Sequence, residues 1–192
     1  MSIGFAAEDY AHEALLRGLS RRWGLEASLH KIPCRGSGRP GLTRDLRQGK
    51  ICFTAQEKGY DTVAVLVDAD RRPWNEVRTE MSARVSPFFQ SVGALVGVCD
   101  RNVECWLAAD PDYLARRLEI NADELRVDDP KGVVQAAIRA KRIRVEELVE
   151  AAPVGRWIDS SPSFEAFYDD ARTLGQRKGC DVPNEREPGD TR

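Results

Sequence analysis

The chain has 192 residues and is 42% hydrophobic, which is enough for one domain with a real core and too apolar for a disordered chain. Its 29 basic and 31 acidic residues nearly cancel, leaving a net charge of −2; this excludes a generally cationic nucleic-acid coat but not a local basic groove. No apolar run approaches the ~18–20 residues that span a bilayer, and the first residues carry no basic stretch of a signal peptide. The five cysteines, Cys34, Cys52, Cys99, Cys105 and Cys180, show no Cys-x-x-Cys spacing, so neither a disulfide framework nor a zinc pattern is expected. Cys99 and Cys105 read as buried thiols, and a cytoplasmic protein without membrane contact is expected.

Residues 2–7 read as a short strand. Residues 8–22 follow with Tyr10, Ala11, Ala14, Leu15 and Leu19 at helical spacing. Residues 25–32 alternate weakly as a second strand, and the Pro/Gly-rich stretch 33–41 reads as a loop. Thr43 is placed to cap a helix over 44–58 that ends near Gly59. A strand is predicted over about 61–68, a helix over 74–85 opened by Pro73, and a second fully apolar strand over 91–99. Strands this apolar, alternating with helices, predict an α/β fold with a mostly parallel sheet covered on both faces. Beyond Asp100 the pattern turns helical, over 103–109, 111–118, 130–142, 144–151 and 163–174. Asp110-Pro111 and Asp129-Pro130 each read as a cap followed by a helix-starting proline. Residues 1–175 form one predicted domain, and the polar 176–192 a disordered tail.

Residues 63–70, Val-Ala-Val-Leu-Val-Asp-Ala-Asp, are the most informative stretch. Strand residues i and i+2 share a side, so Asp68 and Asp70 are expected to project together from the strand's C-terminal end, where open α/β sheets place ligands. Two carboxylates ~5 Å apart repel by roughly 3–4 kcal/mol at an effective dielectric near 20, and a divalent cation turns that cost into a gain. Arg71 and Arg72 either neutralise the pair or meet a phosphate. Glu8 opens the first helix after strand 1, with Asp9 beside it and His12 four residues on, which puts Glu8 and His12 on one face of the expected helix. Glu104, amid apolar neighbours, is either buried and paired or a ligand. Lys131 is either a solvated first-turn lysine or a cation beside a phosphate. The Arg35-Gly36-Ser37-Gly38-Arg39 loop offers glycine backbone and arginine charge to a phosphate, though it is not a Walker motif. No nucleophile-elbow, zincin or dinucleotide fingerprint occurs.

An acid after strand 1, Asp-x-Asp after a later apolar strand and a further acid downstream resemble the Toprim core of topoisomerases, primases and OLD-type nucleases. Glu8 matches the first-strand glutamate and Asp68/Asp70 the Asp-x-Asp. Ala7-Glu8-Asp9-Tyr10 stands where many members have glutamate followed by glycine. His12 falls where some OLD-type nucleases carry a second acid, a position for a second metal or its support. More of the chain resembles a Toprim-like family in bacterial defence loci, often beside an ATPase as in abortive infection. The carrying blocks are Ala-Glu-Asp-Tyr-Ala-His-Glu-Ala-Leu-Leu, Val-Leu-Val-Asp-Ala-Asp, Val-Glu-Cys-Trp-Leu-Ala-Ala-Asp, Asp-Asp-Pro-Lys and Ser-Pro-Ser-Phe. The resemblance implies a Toprim-like domain with a Mg²⁺ (or Mn²⁺) site, and it places Glu104 and Lys131 in motif positions.

These readings together lead to an expected metal-dependent nuclease cleaving DNA or RNA. Glu8, Asp68, Asp70 and Glu104 would hold the metal, Lys131 would stabilise developing charge, and Arg35, Arg39, Arg71 and Arg72 would steer the backbone. The alternative is a non-catalytic or regulatory subunit that binds an ATPase partner.

Overall fold

Apolar strands can be buried on both faces only if helices cover both, and this dictates the architecture. The computed structural model describes residues 1–34, 38–85 and 93–186. Strand β3 (Thr62–Asp68) is buried at every position. It pairs in parallel with β1 (Ile3–Ala7) and β4 (Gly93–Cys99), and β1 pairs in parallel with β2 (Leu29–Lys31), giving the sheet order β2-β1-β3-β4. The chain leaves β1 toward β2 and then crosses back to β3. The strand order therefore reverses between β1 and β3, and the crevice at their C-terminal ends is the expected ligand position in such a sheet.

The two faces carry different layers. Val63, Val65 and Val67 pack with α2 (Gly38–Arg47), α3 (Lys50–Glu57) and α4 (Trp74–Val85). Ala64 and Leu66 face α1 (Tyr10–Arg22) and the helices that follow β4. Those helices are α5 (Val103–Leu107), α6 (Pro111–Leu118), α7 (Lys131–Lys141), α8 (Val145–Glu150), α9 (Val154–Ser160) and α10 (Pro162–Arg177). Trp106 anchors this layer: its ring meets Phe164 edge-on at 5.0 Å, and its Nε1 donates to Ser163 Oγ at 2.7 Å. Helix α8 lies close on α1 because Gly18 has no side chain; a Cβ there would stand 2.6 Å from Val149 Cβ. Among the described residues, no helix is long and apolar enough to cross a membrane.

Several sequence expectations need correction. The predicted helix over 44–58 is two helices, broken at Gly49, whose φ of 70° needs the left-handed region that glycine enters freely. Thr43 lies inside α2 rather than capping it, because α2 begins at Gly38 and takes Pro40 in its first turn, where proline costs no hydrogen bond. Of the predicted loop 33–41, residues 35–37 lie outside the described residues. The predicted strand over 25–32 is shortened to Leu29–Lys31 behind a 3₁₀ turn at Glu26–Ser28. Helix α9 was not expected. The segment after 176 has a packed part: Val182 is buried, Tyr168 Oη donates to the Pro183 carbonyl, and Arg22 grips Glu185 through bonds of 2.6 and 2.7 Å. A single valine and one ion pair leave no periodic signal, which is why this stretch reads as a tail. Residues 187–192 lie outside the described residues, as do the first two of the predicted strand 91–99.

Candidate metal centre

Three strand ends and four helix starts build the site. Glu8 continues the ladder of β1, its N–H donating to the Leu66 carbonyl at 3.1 Å, and its Oε2 accepts the Asp68 N–H at 3.0 Å. Asp9 then caps α1, accepting from the N–H groups of Ala11 and His12. Because Glu8 precedes the cap, it does not share a helical face with His12; the two reach Asp68 by separate routes. Asp68 ends β3 on the face that carries Ala64 and Leu66, toward α1. There His12 Nε2 lies 2.8 Å from Asp68 Oδ1, and His12 Nδ1 lies 2.7 Å from Asp9 Oδ1. His12 is fully buried and Asp68 nearly so. Cys99 ends β4 in register with Asp68.

Asp70 departs from the expectation that it projects beside Asp68. The strand stops at Asp68, and Asp70 adopts a left-handed backbone with φ of 56°, so the alternation of strand side chains no longer applies. Its exposed carboxylate meets Arg39 of α2 at 3.1 Å, and the same Arg39 Nη1 donates to the Asp68 carbonyl at 3.3 Å. Arg101, after β4, is also left-handed with φ of 62°. The two turns are tied together, Ala69 N–H to Cys99 O and Asp70 N–H to Arg101 O, each at 2.8 Å. Left-handed backbone at a non-glycine residue costs of order 1 kcal/mol and persists where the surroundings impose it, often at functional sites.

Glu104 and Lys131 come to the same place from α5 and α7. Glu104 is 2% exposed. Its Oε1 accepts from Gln135 Nε2 at 2.7 Å, while its Oε2 is buried with no hydrogen-bond partner. Burial raises the Glu104 pKa, and the Lys131 charge opposes that rise. Burial works against the Lys131 ammonium, but the carboxylates of Glu104, Asp68, Asp9 and Asp129 outweigh it and raise its pKa. Burial likewise raises Glu8, with the charges of Asp68 and Asp70 adding to it. Burial would strip His12 of its proton, yet its bonds to Asp68 and Asp9 hold the imidazolium, with a pKa well above the usual value. The bond from His12 keeps Asp9 down at about 2.

The surface over these groups is cationic. A cleft of about 460 Å³ beside Asp70 is lined by Arg39, Arg71, Arg72, Arg101 and Lys131. A second, of about 580 Å³, runs from Asp70 and Glu8 past Arg44, Arg47 and Arg84. Arg72 pairs with Glu80 at 2.7 Å. Neither Arg71 nor Arg72 pairs with Asp68 or Asp70. Arg71 and Arg101 form no salt bridge among the described residues, so their charge is available to an anion. Arg35 lies outside the described residues.

The structure thus places Glu8 and Asp70 on one cleft and Asp70 and Lys131 on the next, with Asp68 within electrostatic reach of Glu8 and Glu104 within reach of Asp68 and Lys131. It does not make the four carboxylates a closed ligand set: Asp68 turns inward to His12, and Asp70 turns outward to Arg39. Among the described residues, the three groups whose ligand atoms lie within 4.8 Å of one another are His12, Asp68 and Cys99; this buried cluster could hold a metal ion. Cys99 and Arg101 escaped the sequence reading as site residues. The signal was the pairing of two apolar strands that end in Val67-Asp68-Ala69-Asp70 and Val98-Cys99-Asp100-Arg101.

The orphaned Glu104 oxygen has a thermodynamic consequence. A carboxyl with a raised folded-state pKa favours folding below its unfolded pKa, and this contribution is lost as pH rises through the folded value. Glu104→Gln is therefore expected to stabilise the chain at pH 8 by about 1 kcal/mol and to change it less at pH 5. Urea unfolding at the two pH values measures this.

The chain matches no protein-family model, no curated protein and no solved structure.

Proposed function

We propose that this chain is a metal-dependent phosphodiesterase that hydrolyses nucleic acid, using Mg²⁺ or Mn²⁺. The observation that carries the reading is that Glu8, Asp68, Asp70 and Glu104 act on one another electrostatically near the C-terminal ends of the strands, beside clefts lined by arginines and Lys131. Carboxylate oxygens suit hard cations. The buried, unpartnered Glu104 Oε2 and the raised carboxyl pKa values of Glu8 and Glu104 fit a place where a cation would relieve crowded negative charge. Asp70 is exposed and, among the described residues, paired with Arg39, so a turn of its side chain would bring it to an ion in the crevice. A bound ion there would polarise the phosphoryl group and lower the pKa of a bound water.

The chain's own residues supply the rest. Arg71 and Arg101 hold phosphates on the open side of the crevice, making binding weaken with salt. Lys131 faces the charge that develops on the phosphoryl oxygens as the P–O bond to the leaving group breaks. His12 fixes the Asp68 carboxylate through its bond to Oδ1. The parallel sheet, with acids after β1 and β3, supports the Toprim-like reading. Defence against phage, an ATPase partner and a cytoplasmic place rest on the sequence resemblance.

The test incubates the full chain with plasmid, linear duplex, single-stranded DNA and tRNA, in Mg²⁺ or Mn²⁺. Cleavage that stops on addition of EDTA is expected. Intact substrates under all these conditions would overturn the reading.

A further inference from the structure

We propose that His12, Asp68 and Cys99 form a thiolate-containing transition-metal site of the Zn²⁺ class, separate in chemistry from the carboxylate site. The argument starts from the register of the sheet. Asp68 and Cys99 are the last residues of β3 and β4 and stand opposite each other. Both face α1, and His12 descends onto them from its first turns. One ring nitrogen, one carboxylate oxygen and one thiol sulfur thus lie within 4.8 Å of one another, and all three residues are buried. Buried imidazole, carboxylate and thiol are the three protein donors that zinc takes. Sulfur selects against Mg²⁺ and Ca²⁺ and in favour of softer ions.

A second observation points the same way. A metal-binding histidine usually donates its other ring N–H to a carboxylate, which fixes the tautomer and aims the free nitrogen at the ion. Asp9 Oδ1 stands 2.7 Å from His12 Nδ1. With the proton on Nδ1, the lone pair of Nε2 points at Asp68 and Cys99. Asp9 is itself fixed by capping α1, so the aim of the ring is built into the start of the helix. In the metal-free chain a proton on Nε2 holds Asp68. Binding exchanges protons for the ion: the dication enters, one proton leaves Nε2 and one leaves Sγ. Burial holds the Cys99 thiol up at about 12, so the thiolate forms only with the ion present.

The inference extends beyond the phosphodiesterase reading and shares with it Asp68 and the His12 that holds Asp68. Its test reads Cys99, which that reading does not use. The full chain is stripped with chelator, kept reduced and titrated with Co²⁺, the spectroscopic stand-in for Zn²⁺. The expected result is one Co²⁺ per chain with a near-ultraviolet thiolate-to-cobalt charge-transfer band, bleached by one equivalent of Zn²⁺. Cys99→Ser abolishes the band, whereas replacing the three half-buried cysteines, Cys34, Cys105 and Cys180, leaves it. Asp9→Asn keeps the helix cap and weakens Co²⁺ binding about 10–100-fold. A folded wild-type chain without the band, a band that survives Cys99→Ser, or unchanged affinity in Asp9→Asn overturns the proposal. Should Cys99→Ser fail to fold, the Asp9→Asn affinity decides. Failure here leaves Mg²⁺-dependent cleavage untouched, and absence of cleavage leaves the cobalt band untouched.

Discussion

Asp68→Asn is expected to lower metal-dependent cleavage by about 10³-fold or more while leaving the chain folded. Losing a residue that merely supports a metal ligand costs about 10–100-fold, and losing one group that stabilises developing charge about 10²–10³-fold; a carboxylate at the centre of the site has both roles. The fold survives because asparagine keeps the shape and its Oδ1 still accepts from His12 Nε2. What is lost is the charge on that bond, the difference between a charge-assisted and a neutral hydrogen bond, about 1–2 kcal/mol. His12 keeps Asp9 as its other partner, so no buried imidazolium is stranded. Asp70→Asn supplies the internal comparison. Asp70 is exposed and, among the described residues, bound to Arg39 and the linked turn, so the variant's stability should hardly change while cleavage still falls. Rates measured on folded Asp68→Asn protein decide the matter. Cleavage at the wild-type rate would remove Asp68 from the chemistry and the phosphodiesterase reading with it.

The contrast between Asp68 and Asp70 also shows what the sequence could and could not tell. The position of Asp68 was readable because its cause is local: five apolar residues must be a buried strand, and an acid ending such a strand has one crevice to enter. Asp70 was misplaced because the rule of alternating sides lasts only as long as the strand. The left-handed turn after Asp68 is imposed by a bond to Arg101, which lies on another strand's loop. Glu8 was readable as the residue that follows β1, although its bond is to the Asp68 backbone rather than across a helix face. Cys99 looked like an ordinary buried thiol because its meaning depends on pairing with Asp68, a register that β4 alone does not encode. Arg39 was read as a phosphate contact, but α2 places it on Asp70. The turn at Gly49 splits the expected helix, so α2 is a separate element. The packed Val182 and the Arg22–Glu185 pair were invisible for a related reason: one contact made across the fold has no period.

Lys131→Met is expected to lower kcat about 10²–10³-fold, with little change in KM, and to move the acid limb of the pH–rate profile upward. Methionine matches the apolar stem of lysine without the terminal ammonium, so packing at the start of α7 is largely preserved while the charge is removed. In the phosphodiesterase reading substrate affinity rests mainly on Arg71 and Arg101, which are unaltered, so the loss should appear in the chemical step. The pH shift follows from the second role of the cation. Lys131 opposes the rise that burial imposes on Glu104. Without it the Glu104 carboxyl keeps its proton to higher pH, and the ionised site forms later in the titration. The ammonium itself has a raised pKa, so it stays charged through neutral pH and contributes no basic limb of its own. Lys131→Arg should restore the position of the acid limb, since it restores the charge. It should restore kcat only in part, because a planar guanidinium does not place its donors where a compact ammonium does. Profiles of kcat and kcat/KM from pH 5 to 9 for the three proteins separate the two roles. An unmoved acid limb would show that Lys131 and Glu104 do not act on each other, and an unchanged kcat would show that Lys131 does not act on the phosphoryl group.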